Sequence, residues 1–294
     1  MNNIRSTFIS MLAVIAFSTT AHADLPLTVE DLITDKGKIK LDLSVAYANS
    51  DRQGVSTGEP ILIQTGPTSF VTVPTLVGES LTNSDLVVGI LGLRYGLTAK
   101  AEIFTRASYL YSSNRTSNVS GTGSNSDNRF ADAWAGVNYR FKGDDDTPAL
   151  LGFAETALRE KHRDSSSSFQ SYLLGLTTYK AIDPVVFVLT AAYRLNQNRK
   201  DGDRDYEPGD MFFLSPSVAF AVNDRVTLTT GFQWTNRQAD KIDSRTQGLR
   251  RTGTNLLLGV GYGISKGSTL NFTFQENASG SDGANLRLNW LHTF

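Results

Sequence analysis

From Lys38 to the end of the chain, apolar and polar residues alternate with a period of two, broken by stretches rich in Gly, Asn, Asp, Ser and Pro. That period belongs to β-strands with two unlike faces. In 38–49, Ile39, Leu41, Leu43, Val45 and Tyr47 alternate with Lys40, Asp42, Ser44, Ala46 and Ala48, so one face suits hydrocarbon and the other water. The pattern returns in 84–95, 101–111, 130–141, 185–195, 226–234, 252–264 and 269–275. It is less regular in 150–160 and 169–180, and 212–222 carries Pro216, which interrupts an interior ladder unless it sits at a bulge. The last strand ends on Phe294, with His292, Trp290, Leu288, Leu286 and Ala284 at alternate positions behind it. About twelve strands result, each on the order of ten residues, enough to cross a bilayer at a tilt.

The connections sort into two classes. Short ones fall at 96–100, 142–148, 182–184, 223–225 and 265–268, and longer polar ones at 51–83, 114–129, 161–168, 196–210 and 237–251. Short turns on one side and long loops on the other are the pattern of an outer-membrane barrel, with an even strand count and both termini periplasmic. Aromatics near the strand ends (Tyr47, Tyr95, Tyr109, Tyr111, Tyr139, Phe141, Tyr193, Trp234 and Trp290) fit the girdles expected at the two interfaces.

The first residues have a different character. Met1 to Arg5 carry one positive charge, 8–17 are apolar, and Ala21-His22-Ala23 is a small-x-small cleavage signal. The apolar run is about ten residues, half of what a spanning helix needs, so 1–23 reads as an export signal. Residues 24–37 hold the one helical pattern. Thr28 is placed to cap, Val29, Leu32 and Ile33 form an apolar stripe, and Gly37 can end the helix. So short a helix is marginal alone and needs a surface, which the barrel offers at its lumen or periplasmic mouth. The expected fold is therefore all-β: an antiparallel transmembrane β-barrel of about 12 strands over 38–294, with a short N-terminal helical plug at 24–37. In the plug, Glu30, Asp31 and Asp35 are candidates to meet inward arginines.

Composition narrows the function. There is no cysteine, hence no disulfide, thiolate metal site or lipid-modified N-terminus. The net charge of −1 argues against nucleic acid as a partner. A mean hydropathy of −0.21 is compatible with a barrel, because only alternate residues face lipid. After signal removal the histidines are His162, in a charged loop, and His292, on the outward face of the last strand. Neither has the partners of a hydrolase, so no catalytic residues, metal or cofactor are expected. Asp201-Gly-Asp203-Arg-Asp205 opens like a calcium loop, but Tyr206 stands where that loop needs glycine. Asp144-Asp-Asp146 reads as a hydrated turn, and Gly259, Gly261 and Gly263 have strand rather than phosphate-loop spacing. The informative surface is the lumen, where Arg94, Arg106, Arg140, Arg194 and Arg287 are expected to face Glu102, Asp132 and Glu155. Opposed charges across a wet lumen set a field that tunes permeation.

The segments LPLTVEDLITDKGKIKLDLSVAYANSDRQG, QTGPTSFVTVPTLVGE, LGLRYGLTAKAEIF and FADAWAGVNYRF resemble the outer-membrane transporter family associated with meta-pathway phenol degradation. That family includes the barrel domain of the Pseudomonas functional-amyloid secretion channel, which has a short helical plug before a twelve-stranded barrel. That channel also has a periplasmic coiled coil before its plug, whereas Asp24 leads here almost directly into the plug segment. The resemblance therefore implies barrel and plug rather than coiled-coil capture of an amyloid subunit. The expectation is a plug-gated outer-membrane channel for small, including aromatic, molecules or an unfolded polypeptide. The alternative is a structural or adhesive barrel whose long first loop binds a partner. Expected partners are outer-membrane lipid and lipopolysaccharide, the barrel assembly machinery through the Phe294 strand, and a further copy of the chain.

Overall fold

A computed structural model describes residues 33–57, 61–64, 70–73, 77–118, 121–162, 165–279 and 283–294. These form β1 (Ile39–Thr57), β2 (Ile61–Gln64), β3 (Phe70–Val73), β4 (Val77–Thr98), β5 (Ala101–Asn118), β6 (Gly121–Lys142), β7 (Ala149–His162), β8 (Ser165–Ser167), β9 (Ser171–Ile182), β10 (Val185–Asn196), β11 (Arg199–Asp201), β12 (Arg204–Glu207), β13 (Met211–Ala221), β14 (Val226–Arg237), β15 (Asp240–Ile242), β16 (Arg245–Gln247), β17 (Arg251–Ser265), β18 (Ser268–Asn277) and β19 (Ala284–Thr293). Twelve of them, β1, β4, β5, β6, β7, β9, β10, β13, β14, β17, β18 and β19, make one antiparallel sheet. It closes on itself where β6 pairs with β7, and its first and last strands pair from Lys40–Thr293 to Asn49–Ala284. Closure leaves no strand edge, which is what a sheet in hydrocarbon requires, since lipid offers backbone groups no partner.

The two faces keep the parity of the sequence. Val45, Leu91, Phe187, Phe232 and Phe272 are about half exposed on the outside, while Lys40, Ser44, Glu102 and Thr227 are buried inside. An exterior of apolar side chains around a polar interior is stable only where the exterior meets lipid. At the outer rim, Tyr47 donates to Asp85 (2.7 Å) and Tyr193 to Asp210 (3.1 Å). At the other rim, Trp290 donates to Ser268 (3.0 Å) and stacks on His292, which meets Phe294 edge-on. Leu258→Arg, on the lipid face midway along β17, is expected to cost about 2–4 kcal/mol of barrel stability. Heat-modifiable gel mobility in detergent would show this as a lowered unfolding midpoint.

Strand lengths differ from expectation on one side. The expected loops at 51–83 and 114–129 are largely strand: β4 and β6 each run for 22 residues, and β2 and β3 form a separate hairpin. Above the membrane both faces of a strand meet water. The hydrogen-bond ladder therefore continues through Ser, Thr and Asn after the apolar alternation has stopped. The loops at 196–210 and 237–251 likewise contain β11, β12, β15 and β16, joined in a four-stranded sheet. The Asp201–Asp205 run is a hairpin turn, with Gly202 at φ +63° and Lys200 paired to Asp205 at 2.7 Å.

Pro216 causes no register shift. β13 pairs Leu214 with Trp234 and Ser217 with Gly231, and the ladder toward β14 lapses only at the two residues between. The 144–146 turn is more than hydrated. Asp144 accepts the Ala181 amide (2.8 Å) and Lys180 Nζ (2.9 Å), tying the β6–β7 turn to β9. Burial pushes the Asp144 carboxyl up, but the Ala181 amide and Lys180 outweigh it and hold its pKa below the usual value. Its neighbour Asp145 is held at about 2 by the Thr147 amide and Lys142.

Candidate functional site

The site is the lumen, built in three tiers from inward positions of the wall. At the periplasmic end Glu102, on β5, is fully buried. Its Oε1 accepts Asn138 Nδ2 (2.6 Å) and lies 3.3 Å from Arg94 Nη1, and its Oε2 accepts the Thr34 amide (2.6 Å). A buried carboxylate is tolerated when donors surround it. The Thr34 bond brings the segment before β1 into the barrel. There Ile33 packs on Ala149, Leu151, Tyr179 and Val186, whose inward side chains make an apolar patch on β7, β9 and β10. From that patch the segment reaches β4, where Gly37 donates to Gly96 O (2.8 Å) and Gly96 donates to Lys38 O (3.1 Å). A Cβ on Gly96 would stand 2.0 Å from Asp35 O and 2.4 Å from Thr34 O, so no larger residue permits this approach.

Residues 33–37 are thus an inner strap and not a helix. Gly37, at φ +79°, sits in the turn that the Lys38 amide closes on Asp35 O (3.0 Å), not at a helix end. Of the plug candidates, Thr28, Glu30, Asp31 and Leu32 lie outside the described residues. Asp35 meets no arginine among the described residues; its carbonyl, not its carboxylate, is engaged, accepting the Lys38 amide.

In the middle tier Arg106 pairs with Glu155 (2.7 Å), and Ser108 donates to Asp132. Arg106 and Arg194 lie over the Trp134 ring at 5.4 and 5.0 Å. Trp134, 2% exposed, is an inward residue that sequence reasoning missed; its parity with Asp132 and Asn138 was the available signal. Each stacked cation contributes on the order of 0.5–2 kcal/mol. Arg140 has the same parity but sits at the periplasmic rim, donating to Ala99 O (2.7 Å), and does not join this network. A cavity of about 340 Å³ lies between the first two tiers, lined by Asp42, Arg94, Phe104, Arg106, Glu155 and Arg287 among others.

At the extracellular end Glu160 is held between Arg194 and Arg199, with Arg199 Nη1 at 3.2 Å. Arg199 belongs to β11, so this carboxylate fastens the loop sheet onto the wall; Arg199 also donates to Ser171 Oγ (2.9 Å). Across the same sheet Asp240 accepts the Gly209 amide (2.8 Å), Arg237 (2.9 Å) and Tyr206 (3.0 Å). Burial raises the Asp240 pKa, yet the Gly209 amide and Arg237 outweigh burial, so it lies below 3.8. A depressed carboxylate stabilises the fold fully above its unfolded pKa and stops doing so as pH falls through the folded value. Acidification from pH 5 to below the Asp240 pKa is therefore expected to lower the protection of the Gly209 amide against hydrogen exchange, measured relative to its intrinsic rate at each pH, with Asp240→Asn abolishing that change in protection.

Among the described residues no cluster of His, Asp and Glu could hold a metal ion. His292 is an outer-face aromatic stacked on Trp290, and the His162 side chain lies outside the described residues.

No family model matches the chain, and no curated protein sequence does. Solved structures do match. An outer-membrane channel from Pseudomonas putida F1 superposes with a TM-score of 0.61 at 14% identity, over 90% of this chain and 98% of that one. The transport unit of the autotransporter AIDA-I from Escherichia coli superposes with a TM-score of 0.50 at 10% identity, over 99% of this chain and 97% of that one. At such identities the likeness shows the fold, that of an outer-membrane β-barrel.

Proposed function

We propose that this protein is an outer-membrane channel for small solutes, of the kind implied by its resemblance to the meta-pathway phenol-degradation transporters, with the segment before β1 acting as its gate. The observation that carries the reading is the inverted distribution of polarity. Twelve strands enclose charged side chains and a polar cavity, while the outside is apolar. A barrel that only filled itself would need no cavity of about 340 Å³. Its size favours a small molecule over an unfolded polypeptide, because ion pairs from β4, β5 and β7 border it. The test is planar-bilayer recording of purified protein in KCl. Discrete conductance steps are the expected result, and their absence from both the full chain and a chain lacking 24–37 would remove the proposal.

A second reading has one observation in its favour. β1, β4, β5 and β6 run for 18 to 22 residues, against 10 to 12 for β9, β10, β13, β14, β18 and β19. One side of the barrel thus carries a tall wall that a partner outside the cell can grip. Shortening β4 and β1 above Asn83 and Asp51 would abolish partner binding on that reading and leave conductance unchanged.

A further inference from the structure

We infer that the cavity between the lower and middle tiers is a binding subsite for a small organic monocarboxylate, with Arg287 as the residue that takes its charged head. The inference rests on the channel reading and names the class of solute.

The other charged groups around this cavity are already matched. Asp42 accepts Asn289 Nδ2 and lies 3.7 Å from Arg94. Arg94 also meets Glu102, and Glu155 takes Arg106. Arg287 stands apart. It is exposed to the lumen from β19, its neighbours across the ladders are Ala46 and Thr273, and among the described residues it has no ion pair or hydrogen bond. A lumen arginine without a carboxylate presents a planar fork of donors in a region less polarisable than bulk water, where an anion is attracted more strongly. Two residues that line the same cavity each hold a buried polar atom without a hydrogen-bond partner, Ser44 Oγ and Arg106 Nε.

The rest of the lining defines the body of the ligand. Ile90, Phe104 and Phe153 contribute an apolar side to the same cavity. Asp42 and Glu155 also line it, and they disfavour a second negative charge. A single carboxylate joined to a flat or short apolar body satisfies both sides, and about 340 Å³ is near the lower end of small-molecule sites.

Benzoate, with benzamide as its neutral isostere, is a suitable probe. Calorimetric titration of the full protein in detergent is expected to show saturable benzoate binding and none for benzamide. Arg287→Gln should weaken benzoate binding on the order of ten- to a hundredfold, the worth of a charge-assisted pair of hydrogen bonds. Arg287→Lys, which keeps the charge but loses the fork, should weaken it several-fold, and serves alone if the glutamine variant fails to fold on a heat-modifiability gel. Equal binding of benzamide, no saturable benzoate binding, or unchanged affinity in a folded variant would overturn the subsite. Conductance in KCl is recorded from the same preparation. Current without benzoate binding leaves the channel reading and removes the subsite; benzoate binding without current does the reverse.

Discussion

Ile33→Asp is expected to raise the conductance of the full-length protein about twofold or more in planar bilayers, because it undocks the strap from the lumen. Ile33 is 5% exposed against Ala149, Leu151, Tyr179 and Val186. Burying such a side chain stabilises by about 1.5–3 kcal/mol, and a carboxylate placed on the same apolar patch adds a desolvation cost on top. Together these shift the docked–undocked balance on the order of a hundredfold or more. Undocking also takes the Thr34 amide from Glu102, which keeps Asn138 and Arg94 as partners on the wall, so the barrel itself is not disturbed. Gly96→Val attacks the other anchor, since its side chain would collide with the carbonyls of Thr34 and Asp35, and it should give the same direction of change. Unchanged conductance in both variants, with protease accessibility showing the strap released, would mean that the strap does not obstruct the pore.

Glu160→Ala should lower barrel stability by about 3–5 kcal/mol, the range for removing one partner of a buried ion pair. Glu160 is 7% exposed and Arg199 is also 7% exposed, so the arginine would be left with a buried, uncompensated charge. Arg194, which is more exposed and retains Asn196 as a partner (3.1 Å), contributes less of the loss. The same substitution unfastens the loop sheet from the wall. Faster proteolysis within 199–207 on intact cells should therefore accompany a lower unfolding midpoint in detergent. Glu160→Gln keeps an acceptor for Arg199 and should cost less; equal effects of the two substitutions would show that the charge alone, and not a retained acceptor, holds the loop.

Where the sequence misled, the cause is local. The segments 150–160 and 169–180 looked irregular because Ala149, Leu151 and Tyr179 are inward apolar residues that cover Ile33. A strand with an apolar patch on its wet side loses the contrast on which alternation depends. The long first loop was misjudged for the complementary reason: where β1 and β4 continue above the bilayer, through 51–57 and 77–83, polar residues stand at both parities, so pairing leaves no periodic mark. The calcium-like run Asp201–Asp205 owes its glycine to a hairpin turn.

By itself the sequence determined which side chains of each spanning strand meet lipid and which meet the lumen, and that the sheet must close on an even number of strands. It could do so because hydrocarbon and water select different residues at every second position, a rule that acts one strand at a time. The tertiary structure alone decided that Thr34 reaches Glu102, that Arg199 folds back onto Glu160, and that Arg287 lines the cavity without a carboxylate partner among the described residues. Such pairings depend on distance across the barrel, which strand register and closure set together and which no spacing along the chain encodes.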